Sequence, residues 1–170
     1  GIDLVFGFPE SEEGYKGLIV ITEYVTKYPF VRPIKSKSSE EIAKHIWEYI
    51  TFFGPPKVII TDMGTEFVNK TVDYMLRMIG TEHRTTSAYH PRTNGQTERF
   101  NGTFVEALRK HSIENRLKWP EWIPFVLLAY RSRVHSITKF TPFELMFGRK
   151  INLFEDFSNF DNNPNEEENV

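Results

Sequence analysis

The chain has no cysteine. That excludes disulfides and thiolate metal sites, and it fits a reducing compartment. It has no apolar run approaching the roughly 20 residues of a membrane span, so no membrane partner is expected. It has no internal repeat and no signal-peptide pattern. The opening "GIDLVFGF" starts abruptly as a strand-like run, so the chain reads as an excised fragment. Basic residues are missing from its end: from Ile151 onward there are six acids and no Lys or Arg. That segment, residues 151–170, closes on "NFDNNPNEEENV" and reads as an acidic Asn/Glu-rich tail or linker, expected to be disordered.

What is present suffices for one compact domain over residues 1–150. The 170-residue chain is 39% hydrophobic and 15% aromatic. The formal net charge of −2 hides an asymmetry, because the residues before the tail carry 21 basic against 17 acidic side chains. Ten of those basic residues fall between Arg99 and Lys150, against only Glu106, Glu114, Glu121 and Glu144. Such a half can face a polyanion, or simply form a solvated surface.

The apolar pattern gives the element order β-β-β-α-β-α-β-α-α-α. "GIDLVFGF", "GLIVITEYV" and "KYPFVRPI" read as three strands joined by short links, the third ended by Pro33. Ser38 and Glu41 have capping-box spacing before a helix whose stripe is Ile42, Ile46, Ile50 and Phe53, and Gly54 with Pro55-Pro56 stops it. "KVIIT" is short and wholly apolar, as suits a strand buried on both faces. A helix stripe of Val72, Met75, Leu76 and Ile79 and a fifth strand, "EHRTTS", come next. "HPRTNGQTERFNGTF" then opens as a polar loop and closes as a helix with Phe100, Phe104 and Leu108 on one stripe. A further helix starts between Pro120 and Pro124, and a last one follows the Thr141-Pro142-x-Glu144 capping box. The fold class is α/β: a mixed five-stranded sheet, three antiparallel strands then two parallel, flanked by helices.

Three acids stand where such a sheet would gather them. Asp3 is in the first strand, Asp62 at the end of the fourth, and Glu98 near the start of the helix after the fifth. Three close carboxylates repel unless a cation joins them, and hard divalent ions such as Mg²⁺ or Mn²⁺ suit oxygen ligands. Two such ions can activate an attacking oxygen and stabilise a leaving oxygen in phosphoryl transfer. Blander roles are open for two of them. Asp62 in "TDMG" can start a turn, and Glu98 can complement a helix N-terminus. Asp3 in an apolar strand is harder to explain that way, because an unpaired buried acid is costly. His83, His90 and His135 read as structural or surface residues.

The spacing and flanking segments together resemble the catalytic core of integrases from retroviruses and long-terminal-repeat retrotransposons, especially the gypsy type. That family has an Asp-Asp-Glu (DDE) triad with 35 residues between the last two acids, the same number as between Asp62 and Glu98 here. "IDLVFGFP", "VITEYVTKYPF", "FGPPKVIITDMGTEF", "YHPRTNGQTERFNGTF" and "AYRSRVHSITKFTPFELMFGR" match its motifs in order over about residues 1–150. Arg131 stands where the family usually has Asn, and Glu23 where Asp is usual.

The resemblance implies an RNase H-like fold and a Mg-dependent (or Mn-dependent) DNA integrase, both polynucleotidyl transferase and endonuclease. Such an enzyme trims the 3′ ends of the element's DNA and transfers them into target DNA. Asp3, Asp62 and Glu98 would be catalytic and would hold two metal ions with DNA bound. Tyr89, Pro91, Asn94, Gly95, Asn101 and Gly102 would contact DNA; Tyr89 can instead be a core aromatic and Asn94 a helix cap. It further implies a nuclear location and a homodimer or higher oligomer. "WIPFVLLAY" is apolar nearly all round, so helices in residues 100–134 are expected to supply the dimer contact, unless the final helices and tail cover that surface within one chain. The family's N-terminal zinc-binding and C-terminal DNA-binding modules are absent from this chain. A second reading is a host-recruited, non-catalytic integrase-derived module that binds DNA or a partner.

Overall fold

The computed structural model describes residues 1–86 and 91–152, with the backbone alone described for 91–99. The tail from residue 153, Tyr89 and His90 lie outside the described residues.

Strands β1 (Ile2–Phe6), β2 (Gly17–Thr22) and β3 (Pro29–Ile34) form an antiparallel ladder in that order. Asp3 pairs with Val20, and Val20 with Val31. β2 is buried at every position, because its run, apolar up to Thr22, is covered on both faces. Period-two alternation splits it: Ile19 and Ile21 face one side, Leu18 and Val20 the other.

Pro33 does not end β3, which runs on to Ile34. The ladder explains why. Gly1 and Thr22 exchange both backbone bonds, so Thr22, Val20 and Leu18 turn their N–H groups toward β1. Their partners Pro29, Val31 and Pro33 then owe β2 no N–H, and both prolines sit harmlessly on an edge strand.

Helix α1 (Ser39–Phe53) packs on the first face of the sheet with α2 (Lys70–Met78). Ile42, Ile46 and Ile50 of α1 and Val72 and Leu76 of α2 meet Ile2, Ile19, Ile21 and Phe30 there. Ser38 caps α1 by accepting the Glu41 N–H, but the Glu41 carboxylate turns to the backbone of Lys35 and Ser36 instead of completing the box. Gly54 closes α1 at φ 78, a left-handed value that favours glycine.

Strands β4 (Val58–Thr61) and β5 (Glu82–Thr85) pair in parallel around α2. β1 lies beside β4, yet the five strands divide into a three-stranded and a two-stranded ladder rather than one continuous sheet. A four-residue strand has few bonds with which to hold register across a twisted junction.

Helix α3 (Pro91–His111) covers the second face, with a 3₁₀ segment (Arg116–Trp122) and α4 (Ile123–Ser132) beside it. Phe100, Phe104 and Leu108 pack with Trp119, Val126 and Leu127 on Leu18, Val20 and Val31. α3 starts at Pro91, so Thr93, Asn94 and Gly95 belong to the helix and not to a loop. Proline suits a first helical position, where its missing N–H costs nothing. The two interior glycines, Gly95 and Gly102, each disfavour the helix by about 1 kcal/mol, and the packed stripe outweighs them. α5 (Pro142–Phe147) carries the complete capping box of Thr141 and Glu144.

Candidate active site

Alternation in β1 sends Ile2, Leu4 and Phe6 toward α1 and α2, and leaves Asp3 and Val5 on the face covered by α3. Asp3 is therefore half-buried beside the α3 stripe. Its Oδ1 accepts the Leu4 N–H at 2.8 Å, and its Oδ2 accepts the Asn101 side-chain amide at 2.6 Å. Asn101 is held by its neighbour Phe100, which is buried against Tyr130 of α4 with ring centroids 4.7 Å apart. The Asn101 Oδ1 is buried and accepts no hydrogen bond among the described residues.

Asp62 follows β4 directly and is exposed. Its Oδ1 accepts the Gly64 N–H at 2.9 Å, the Asp-x-Gly turn that the sequence allowed. The turn is pinned by Phe67, whose N–H bonds the Gly64 carbonyl at 3.0 Å and whose ring is buried in the core. A Cβ at Gly64 would come within 2.6 Å of the Glu66 carboxylate and 3.0 Å of Asp62 Oδ1. Glu66 thus stands beside Asp62, which nothing in the apolar pattern had singled out. The "GTE" spacing was the only available signal.

Glu98 lies on α3, but its side chain is outside the described residues, as are those of Pro91 and Asn94. The backbone nonetheless bears on its role. With α3 starting at Pro91, Glu98 is two turns in, and the first turn holds no acid. The helix-dipole account of Glu98 fails on that position, because the effect fades within one turn. Among the described residues no three acids or histidines are grouped closely enough to hold a metal.

Three other residues have clear structural duties. His83 Nε2 lies 2.9 Å from the Thr61 hydroxyl, which donates to the Asp62 carbonyl. Burial lowers the His83 pKa, although Asp73 opposes this, and the ring ties β5 to the end of β4 through the Thr61 hydroxyl. Arg131 donates from Nε and one Nη to the Pro29 carbonyl at 3.2 and 2.8 Å and stacks on Tyr28 at 4.5 Å. It clamps α4 to β3, which accounts for its presence without a DNA contact. Glu23 is a local clasp: burial raises its pKa, but hydrogen bonds from Thr26 and the Val25 N–H outweigh this and leave it below the ordinary value.

The family model of the integrase core domain matches residues 2–91, just over half of the chain. The chain belongs to this family. It is 31% identical over 158 residues to the retrovirus-related Pol polyprotein from transposon 412 of Drosophila melanogaster, covering 92% of the chain and 13% of that protein. It is 34% identical over 137 residues to the Pol polyprotein of feline endogenous virus ECE1, covering 79% of the chain and 13% of that relative. The chain thus spans only about an eighth of the length of these relatives. Among solved structures, the HTLV-2 integrase catalytic core domain in complex with magnesium has a TM-score of 0.70 at 21% identity, over 85% of this chain and 93% of that one. A simian T-cell lymphotropic virus intasome in complex with a PP2A regulatory subunit gives 0.77 at 19% identity, over 91% and 56% of the two chains. The integrase core therefore has the RNase H-like fold, with its strands hydrogen-bonded as two ladders.

Proposed function

We propose that this integrase core cuts and joins DNA, with Asp3, Asp62 and Glu98 as its catalytic, metal-binding acids. The observation that carries this reading is the Asn101–Asp3 hydrogen bond. It pins one turn of α3 to the middle of β1, and Glu98 lies three residues, about one turn, before Asn101. Asp62 comes from the strand beside β1. The two described acids fit a hard divalent cation, since both offer carboxylate oxygen alone, and Asp62 Oδ2 accepts no hydrogen bond among the described residues.

Asp3, Asp62 and Glu98 would hold Mg²⁺ or Mn²⁺, two ions when DNA is bound, to polarise a phosphodiester and activate the attacking oxygen. Asn101 fixes which Asp3 oxygen is committed to α3, and the Gly64 N–H does the same for Asp62. Both acids are thus oriented before substrate arrives. In the first step water cuts a phosphodiester near the end of the element's DNA and frees a 3′ hydroxyl. In the second that hydroxyl attacks a phosphodiester of target DNA and displaces a 3′ oxygen. Tyr89, Pro91, Asn94, Gly95, Asn101 and Gly102 are assigned to DNA; Gly102 is exposed, with open space where a side chain would stand.

The integrase core works in this reading as a homodimer or larger assembly in the nucleus. Residues 100–134 supply the contact, where Ile113, Leu117, Trp122 and Phe125 are exposed apolar side chains. No helix among the described residues is long and apolar enough to cross a membrane. The deciding experiment is Mn²⁺-dependent strand transfer by a protein carrying this core and its flanking modules. Joining that requires all three acids supports the enzyme. Metal-independent DNA binding with no joining would favour the non-catalytic module instead.

A further inference from the structure

A groove of about 300 Å³ opens between the end of β2, the middle of α3 and the segment linking α4 to α5. Its charged lining is basic, Lys27 and Arg133, with the His135 ring beside them. Thr22, Thr103 and Tyr130 add hydroxyls, and Phe100 adds an apolar wall. Among the described residues, Glu23 is bonded to Thr26 and Glu144 to its helix cap. Arg133 is exposed and makes no ion pair among the described residues. Thr22 is 3% exposed, yet its hydroxyl has no hydrogen-bond partner among the described residues. It shares the sheet face of Val20, so it points to the groove side, and a buried hydroxyl without a partner costs free energy. Lys27 is held beside it by a turn in which it adopts φ 64, unusual for a residue with a side chain, with its N–H on the Glu23 carbonyl at 2.9 Å.

The groove adjoins the acids. Thr22 is two residues from Val20, the strand partner of Asp3, or about 7 Å along β2. Phe100 in its wall precedes Asn101, which holds Asp3. We infer that this groove binds a backbone phosphate of the DNA strand lying across Asp3, with Arg133 supplying charge and the Thr22 hydroxyl donating to a phosphate oxygen. A phosphate fits the combination of an exposed guanidinium and a buried hydroxyl that has no partner among the described residues. The inference rests on the DNA-joining reading only for the identity of the polyanion.

The test is binding of a short duplex oligonucleotide to this chain across a salt series, in EDTA, so that it does not depend on the acids holding metal. Arg133→Gln should weaken binding roughly five-fold at physiological salt and lower the salt slope by about 1. Arg77→Gln removes the same charge from an exposed pair on α2 and should leave both unchanged. Thr22→Val should weaken binding roughly ten-fold while the melting temperature holds or rises, because the buried hydroxyl has no partner among the described residues. Equal effects of Arg133→Gln and Arg77→Gln would overturn the inference, as would full DNA affinity in Thr22→Val. Arg133-dependent binding of a polyglutamate peptide in preference to DNA would overturn it in favour of an acidic protein partner. If the groove variants lose affinity as stated while the wild-type core in its flanked protein joins no DNA, the groove stands and the catalytic reading falls. Normal joining with unaltered binding in the groove variants would sink the groove alone.

Discussion

Asp3 and Asp62 differ in how the chain holds them. Asp3 is half-buried in a strand, and its outer oxygen is fixed by Asn101, 98 residues away. Asp62 is exposed on a turn, and its fixed oxygen is held by Gly64, two residues away. The first geometry exists only after α3 has packed on the sheet. The second is written into five residues and a buried anchor, Phe67. Acids of one proposed site can therefore differ sharply in what it takes to disturb them.

The largest test removes charge and leaves shape. Glu98→Gln, Asp3→Asn and Asp62→Asn should each lower strand transfer roughly a thousand-fold, about 4 kcal/mol of transition-state stabilisation. Melting temperature should hold or rise for Glu98→Gln and Asp62→Asn, because the proposed site gathers like charges, whereas Asp3→Asn loses one of the hydrogen bonds its oxygens accept and should lower it slightly. Near-normal joining by any of the three would remove that residue from the site, and a mutant lacking only Asp3 or only Asp62 would show whether the pair are equal partners.

A smaller change separates the two acids. Asn101→Leu should weaken Mn²⁺ binding by about 10-fold to 100-fold, because Asp3 loses the donor that orients it. Gly64→Ala reaches Asp62 and Glu66 instead, by crowding their carboxylates. Mn²⁺ titration of both variants measures the contrast. If Asn101→Leu binds as the wild type does, the tertiary clamp on Asp3 is irrelevant to the site.

Arg131→Met should cost about 2 kcal/mol of stability in urea denaturation, through lost bonds to the Pro29 carbonyl and lost stacking on Tyr28. It loosens α4 on the Asp3 face, so hydrogen exchange should rise in β3 and α4 and not around Asp62. Ser38→Ala, at the start of α1 on the opposite face, should cost about 1 kcal/mol and leave Mn²⁺ binding untouched.

Much of this was legible in the sequence because it depends on short-range chemistry. Period-two alternation places Asp3 opposite the stripe of Ile2, Leu4 and Phe6. The i, i+4 spacing of Phe100, Phe104 and Leu108 defines the buried side of α3. The Thr141–Glu144 box and the stop at Gly54 follow from capping and left-handed backbone preference. The Asp62 turn needs only Asp-x-Gly. The start of α3 was missed, since Thr93, Asn94 and Gly95 favour turns in isolation and only packing of the helix beyond them overrides that preference. Pro33 misled for a related reason: whether a proline breaks a strand depends on which neighbour its missing N–H would have faced.

The sequence by itself determined the order of the elements, the apolar faces and the spacing of the three acids, because each is set by neighbours within a few residues. Only the tertiary structure decided that Asn101 reaches Asp3, that Arg131 locks α4 to β3 and that the Thr22 hydroxyl is buried beside a basic groove with no partner among the described residues. Those depend on segments distant in the chain meeting at a few ångströms, and no local pattern encodes that distance.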